Sequence, residues 1–153
     1  MNDAIEISNL IYRYAERIDL GDFDALGVLF ERALITTDPA QGEGTRGAAA
    51  ATRMYADWTR TYADPRSPTG KTLHTKHVTT NLQITVDAGG LTAKTRCYFT
   101  VMMQTETLPL QPIISGRYHD EFEKLDGRWG FTRRHILTDL VGNLSEHLLL
   151  PIA

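Results

Sequence analysis

The sequence predicts an α+β fold in which about three N-terminal helices pack on one face of a bent, mostly antiparallel sheet. Helical periodicity is confined to residues 4–61, whereas alternation of apolar and polar residues dominates residues 73–141. The length of 153 residues suits one domain with a real core, which we place at residues 1–153. Such a sheet leaves a cavity between its concave face and the helices.

The first helix carries the strongest helical pattern. Asp3 and Glu6 have the spacing of a capping box, and Gly21 ends the helix. Asp22 can cap a short second helix, and the Ala-rich residues 48–61 predict a third. The apolar face of the first helix consists of Ile7, Leu10, Ile11, Tyr14, Ala15 and Ile18.

One short predicted strand precedes four long ones. Residues 33–38 predict a strand, a turn-rich connection follows, and residues 62–71 predict an exposed loop. Tight turns at "DAGG" and "DGR" indicate hairpins between long antiparallel strands. These long strands are 73–87, 91–106, 113–125 and 129–141. The apolar tail, residues 142–153, lies outside the sheet.

Composition restricts the partners. The net charge is −3 and no basic stripe occurs, so a nucleic-acid partner is not expected. The chain has one cysteine, Cys97, which is typical of a reducing compartment. It shows neither a signal peptide at the N-terminus nor a run of about 20 apolar residues. We therefore expect a cytoplasmic protein without a membrane partner.

Three stretches carry a resemblance to a known family: "YAERIDLGDFDAL" (14–26), "HVTTN" (77–81) and "GRYHDEFEKLDGRWGFTRR" (116–134). With the element order, they resemble the SnoaL-like branch of the nuclear-transport-factor-2-like superfamily. The resemblance implies a cone: a strongly bent sheet whose wide end is closed by helices over an apolar pocket. The family includes dehydratases, isomerases, polyketide cyclases, small subunits of ring-hydroxylating dioxygenases and non-catalytic binding proteins, so fold alone does not give function.

The resemblance also implies site residues. Several lyases of the family pair an Asp at the end of the first helix with a His on the first long strand, which correspond here to Asp19 and His77. The bile-acid dehydratase pattern adds a Tyr and an Arg, which correspond to Tyr14 and Arg134. The second pocket His of scytalone dehydratase has no counterpart near Met102. The predicted substrate-binding side chains are Tyr118, Trp58, Met102, Phe99 and Asn81.

The residues alone leave alternatives open. Strict alternation places His77 with polar neighbours and His74 on the apolar side, but a β-bulge would reverse this. The resemblance selects His77. Taken alone, Asp19 is best interpreted as a solvated carboxylate, and the resemblance is what places it in the pocket. Tyr14 is equally well explained as a core residue, and Arg134 as a surface residue. The "HTKH" pair points to opposite faces of a strand, so no metal site is expected.

These residues suggest two functions. The first is a cofactor-independent lyase or isomerase that performs a dehydratase-like elimination on an apolar, cyclic ligand of the steroid or polyketide type. His77 would remove a proton, and Asp19 would orient His77. The second is a non-catalytic binding or subunit-assembly module. No cofactor is expected. The apolar tail needs a covering surface, so we expect a homo-oligomer, either a trimer or a dimer.

Overall fold

Three helices precede a long antiparallel meander in the computed structural model of the chain, which describes residues 2–152. The helices are α1 (Asp3–Asp19), α2 (Phe23–Leu29) and α3 (Ala48–Trp58). The strands are β1 (Leu34–Asp38), β2 (Thr45–Arg46), β3 (Tyr62–Ala63), β4 (Lys71–Thr72), β5 (Thr75–Val86), β6 (Thr92–Met103), β7 (Gln111–Leu125) and β8 (Arg128–Val141).

One bent sheet of six strands runs in the order β2-β1-β8-β7-β6-β5. All neighbours pair antiparallel except β1 and β8, which are parallel. Strands β3 and β4 form a separate two-stranded ribbon within the predicted loop. Helix α1 packs against β5 and β8, and α2 packs against α3. The arrangement confirms the α+β class and the bent, mostly antiparallel sheet.

The helix ends differ slightly from those predicted. Asn2, not Asp3, caps α1: its side-chain oxygen accepts from the amide of Ala4 at 2.8 Å. The carboxylate of Asp3 instead accepts from Trp129 Nε1 at 2.9 Å. Asp22 caps α2 as expected. Helix α3 ends at Trp58, three residues early, because Thr59 adopts an extended backbone.

A β-bulge interrupts β5. The register against β6 shifts between Thr80 and Gln83, and Asn81 takes a left-handed backbone with φ of 55°. The extra residue reverses the face on which later side chains lie. Before the bulge His77 pairs with the buried Val101; after it, Leu82 and the following alternate residues pack on the core. The bulge therefore lets a polar and an apolar half of one strand share the concave face.

The core lies between the helices and the concave face of the sheet. Ile7 and Ile11 of α1 are fully buried, and Phe30 stacks on Phe131 with ring centroids 4.9 Å apart. Phe131 also contacts Phe122 at 4.6 Å. In the part of the chain that the structure describes, no helix is long and apolar enough to cross a membrane.

Candidate active site

An apolar pocket of about 180 Å³ lies between the helices, the sheet and the C-terminal tail. Its walls come from distant parts of the chain, so only the folded cone assembles it. Helices contribute Tyr14, Ile18, Met54, Tyr55 and Trp58; the sheet contributes His77, Phe99, Val101, Ile114, Tyr118, Ile136 and Thr138; and the tail contributes His147, Leu148 and Ile152. A small apolar ligand fits such a wall.

His77 lines this pocket and also the groove outside it, and Asp19 contacts His77 from the side of that groove. His77 Nδ1 and Asp19 Oδ1 lie 2.6 Å apart, and the two side chains are 6 % and 12 % exposed. A carboxylate bound to Nδ1 favours the tautomer that carries its proton there. That tautomer leaves Nε2 as an acceptor beside the apolar pocket. The geometry is that of a general base with a fixed orientation.

The same carboxylate holds the end of α1 against the start of β5. Asp19 accepts from Thr75 Oγ1 at 2.7 Å and from the backbone amide of His77 at 3.0 Å. The backbone carbonyl of Asp19 accepts from the amide of Leu73 at 3.0 Å. A carboxylate at a helix C-terminus is electrostatically unfavourable, and these donors compensate for its position. Asp19 therefore both joins α1 to β5 and orients the imidazole of His77.

The two histidines of "HTKH" have different surroundings. His77 lines the pocket, whereas His74 is exposed, and the centre of its ring lies 4.8 Å from that of Tyr62. His74 also has a left-handed backbone with φ of 56°, directly before β5. Across residues 2–152, no three His, Cys, Asp or Glu side chains converge as a metal site.

Three tyrosines form the buried wall beside His77. The ring of Tyr14 lies 6.2 Å from that of His77, 6.0 Å from Tyr55 and 5.8 Å from Tyr118, all edge to face. Burial, with the neighbouring Tyr14, raises the pKa of Tyr55 and of Tyr118 well above the usual value. The Tyr55 hydroxyl has no hydrogen-bond partner within residues 2–152. These hydroxyls stay protonated and can donate to a ligand.

Arg134 does not reach the pocket surface. Its guanidinium is fully buried and forms two hydrogen bonds with the fully buried carboxylate of Asp120, at 2.9 and 2.8 Å. The guanidinium carbon lies 4.3 Å from the ring centre of Tyr14 and 3.8 Å from that of Tyr118. Burial opposes its charge, but Asp120 raises the pKa of Arg134, so the guanidinium stays charged. Arg134 therefore packs on the faces of Tyr14 and Tyr118 without lining the pocket itself.

The other predicted contacts divide into two groups. Trp58, Phe99 and Tyr118 line the pocket. Met102 does not, because it alternates with the inward-facing Val101 and Met103 on β6 and lies in a groove outside. Asn81 does not either, because it occupies the exposed turn of the bulge.

His147 was not among the site residues predicted from the sequence. Its side chain is buried, lines the pocket, and lies with its ring 6.4 Å from that of His77. The only signal in the sequence is a lone His inside the apolar tail "GNLSEHLLLPIA". A buried His in an apolar segment is a fair reason to look for a pocket, but no periodicity shows which one.

His147 should make the protein sensitive to mild acid. Burial and the nearby His77 lower the pKa of His147 to about 4, whereas an unfolded His titrates near 6.5. Between these values the unfolded chain binds a proton that the folded chain does not, so the free energy of unfolding falls as the pH falls from 6.5 to 4, by at most about 3 kcal/mol. Urea unfolding at several pH values should show this fall in the wild type and a smaller one in His147→Phe. An identical pH dependence in both proteins would contradict a neutral, buried His147.

A family model described as the SnoaL-like domain matches residues 1–135. The chain belongs to the SnoaL-like domain family. A search of curated protein sequences found no significant match.

Solved structures share the fold of this SnoaL-like protein. An NTF2-like protein with a cystatin-like fold from Novosphingobium aromaticivorans is 22 % identical, with a TM-score of 0.68, covering 89 % of this chain and 81 % of that one. A candidate scytalone dehydratase from the same organism is 22 % identical, with a TM-score of 0.66 and coverages of 90 % and 85 %. A candidate aromatic ring hydroxylase, also from that organism, is 23 % identical, with a TM-score of 0.70 and coverages of 94 % and 95 %. Identities this low establish the fold alone.

Proposed function

We propose that the protein is a cofactor-independent lyase that removes water from a small cyclic hydroxy-carbonyl compound. The observation that carries the proposal is the 2.6 Å contact between Asp19 and His77 at the edge of an apolar pocket. An imidazole oriented by a carboxylate can act as a general base. A mostly apolar wall with few polar groups suits a ring with one or two oxygens.

The elimination uses one proton and no redox partner. His77 Nε2 takes the proton from the carbon next to the carbonyl, and Asp19 stabilises the imidazolium that forms. The electrons of the broken C–H bond form the new C=C bond as the C–O bond of the β-hydroxyl breaks. The departing hydroxide takes the proton from His77 and leaves as water, which restores the neutral base.

The tyrosines stabilise the carbonyl oxygen as it becomes negative. Tyr14, Tyr55 and Tyr118 line the pocket, and the hydroxyl of Tyr55 is free of protein partners among the described residues. A donor aimed at a developing oxyanion in a dry site contributes strongly to the rate. Arg134 is a positioning residue in this scheme. Its guanidinium is paired with the carboxylate of Asp120 and contacts the faces of Tyr14 and Tyr118.

The size of the pocket restricts the substrate. About 180 Å³ is close to the roughly 150 Å³ of an apolar protein cavity that holds benzene. A compound with one ring therefore fits the pocket as it stands, whereas a steroid or a large polyketide would need the tail to move. We propose a monocyclic substrate or a monocyclic end of a larger one.

A non-catalytic binding module is the second candidate. All three hydrogen bonds to the Asp19 carboxylate connect α1 to β5, and two of them, from Thr75 and from the His77 amide, do not involve the imidazole. In this alternative the carboxylate is a structural link, and His77 only lines a ligand pocket. The alternative predicts ligand binding without conversion.

The oligomeric state and the location of the protein are also part of the proposal. Three apolar side chains of the sheet are exposed, which supports their burial in a homo-oligomer: Val78 (41 %), Tyr98 (50 %) and Val141 (60 %).

Cys97 is buried, and burial raises its pKa to about 11, so the thiol is not a nucleophile. We retain a cytoplasmic location as part of the proposal.

A dehydration assay tests the proposal. Racemic 3-hydroxycyclohexanone should lose water to form cyclohex-2-enone, followed by its ultraviolet absorbance, at a rate proportional to the wild-type concentration. His77→Gln should lose this activity, whereas His119→Gln, which changes an exposed His on β7 outside the pocket, should keep it. Equal enone formation by the wild type and His77→Gln would contradict the proposal, and so would a wild type that binds the ketone without forming enone.

A further inference from the structure

His147 is a buried polar side chain in the tail with a free hydrogen-bonding atom. Its side chain lines the same pocket as His77 and is 6 % exposed as a residue. The Nδ1 atom is buried and has no hydrogen-bond partner in the described chain. Nearly all buried polar atoms in native proteins have a partner, and leaving one without a partner costs stability. An unpaired atom beside a pocket marks a place that a ligand atom can occupy.

The backbone around His147 is fixed on both sides. The carbonyl of His147 accepts from the amide of Arg60 at 2.8 Å, and the amide of Leu149 donates to the carbonyl of Trp58 at 2.8 Å. Leu148 forms an isolated β-bridge with Thr59. The tail therefore turns at residues 145–147 and is held by an isolated bridge beside the end of α3.

Glu146 fastens the tail to the loop between β6 and β7. Its carboxylate accepts from the hydroxyl of Thr105 at 3.0 Å and from that of Thr107 at 2.6 Å. The hydroxyl of Tyr62 donates to the backbone carbonyl of Glu146. These bonds hold the residue next to His147 from two directions. The free Nδ1 is thus a feature of an anchored segment.

The two imidazoles are close enough to contact neighbouring atoms of one ligand. Their ring centroids lie 6.4 Å apart and the planes are inclined by 57°. At this separation one ligand can hydrogen-bond to His147 through an oxygen, at about 2.9 Å, and place the adjoining carbon beside the His77 ring. Because His77 uses Nδ1 for Asp19, its Nε2 remains for the ligand.

We propose that His147 is a substrate-binding residue whose imidazole hydrogen-bonds to an oxygen of the ligand beside His77. The tail then selects rings that carry an oxygen over rings that carry none, and it holds the oxygen at the base. The inference deepens the proposed function and rests on it, because it assigns the same pocket to the substrate. It adds a specificity-determining contact from a segment outside the sheet and the helices.

A binding comparison tests this role with compounds that cannot eliminate water. Cyclohexanone and methylenecyclohexane have nearly the same shape, but only the first carries an oxygen. Their affinities for the full-length protein are measured by NMR titration of pocket resonances. The wild type should bind cyclohexanone about five-fold more tightly, the ratio that one hydrogen bond of typical strength gives. His147→Phe, which fills the space without a polar atom, should lose most of this preference, and any remainder is due to the tyrosine hydroxyls.

His147→Asn provides the matched control, because its side-chain amide places a hydrogen-bonding group close to the position of Nδ1. It should retain most of the preference for cyclohexanone. An unchanged preference in His147→Phe would overturn the proposal, and so would a lost preference in both variants, which would indicate a structural role only. Failure of the dehydration assay removes the lyase but leaves this comparison intact, since binding alone is measured.

Discussion

Asp120→Asn should destabilise the protein by about 3 to 5 kcal/mol, the largest stability effect that we expect from one polar substitution. Asp120 and Arg134 are both fully buried and joined by two hydrogen bonds between β7 and β8. Without the carboxylate charge, the guanidinium stays buried with no counter-ion. Urea unfolding at pH 7, followed by tryptophan fluorescence, measures the loss.

A second Arg–Asp pair on the same two strands provides the control. Arg117 and Asp139 form a similar two-bond contact, at 2.8 and 2.9 Å, but their side chains are 38 % and 40 % exposed. Asp139→Asn should therefore cost less than about 1 kcal/mol. The double replacement of Asp120 by Leu and Arg134 by Met should recover much of the stability lost in Asp120→Asn, because it removes both charges. Equal losses in Asp120→Asn and Asp139→Asn would contradict the account of a buried ion pair.

Asp19→Asn should slow enone formation by about 10²- to 10⁴-fold while the protein stays folded. An amide cannot stabilise the imidazolium of His77 as a carboxylate does, and its single oxygen replaces only one of the two carboxylate oxygens that accept from Thr75 and from the His77 backbone. The measurement is kcat for 3-hydroxycyclohexanone, with thermal unfolding as the check on folding. The double variant with His77→Gln should be hardly slower than either single variant, because the two residues act as a unit.

Thr75→Val separates the structural contact of Asp19 from its chemical one. It removes the 2.7 Å hydrogen bond to the same carboxylate but leaves the contact with His77. We expect a change in kcat of less than about ten-fold, since a single neutral hydrogen bond is worth roughly 1 kcal/mol. A loss as large as that in Asp19→Asn would show that Asp19 acts by holding α1 to β5.

Local periodicity predicted most of the elements, because each depends on residues close in sequence. The face of α1 and the four long strands are patterns of this kind. The parallel pairing of β1 with β8 joins segments about 100 residues apart, and nothing in either segment specifies it. The orientation of His77 depends on the bulge at Asn81, where strict alternation fails.

The buried polar residues could be predicted from the sequence only in part. Alternation on β7 places Asp120 on the same inward face as Tyr118 and Phe122, which is an unusual position for a carboxylate and could have been noticed. Its partner was harder to find, because a register shift near Phe131 turns Arg134 inward. His147 could not be placed, because the position of the tail depends on tertiary hydrogen bonds to distant residues.

The central claim is that His77 removes a proton from a carbon acid bound in the pocket. Exchange of the α-protons of cyclohexanone in D₂O at pH 7, followed by NMR, tests it most directly because no elimination is needed. The wild type should accelerate the exchange above the buffer rate, and an equal concentration of folded His77→Gln should not. Acceleration that persists in His77→Gln, or cyclohexanone that binds the wild type without faster exchange, would contradict the claim.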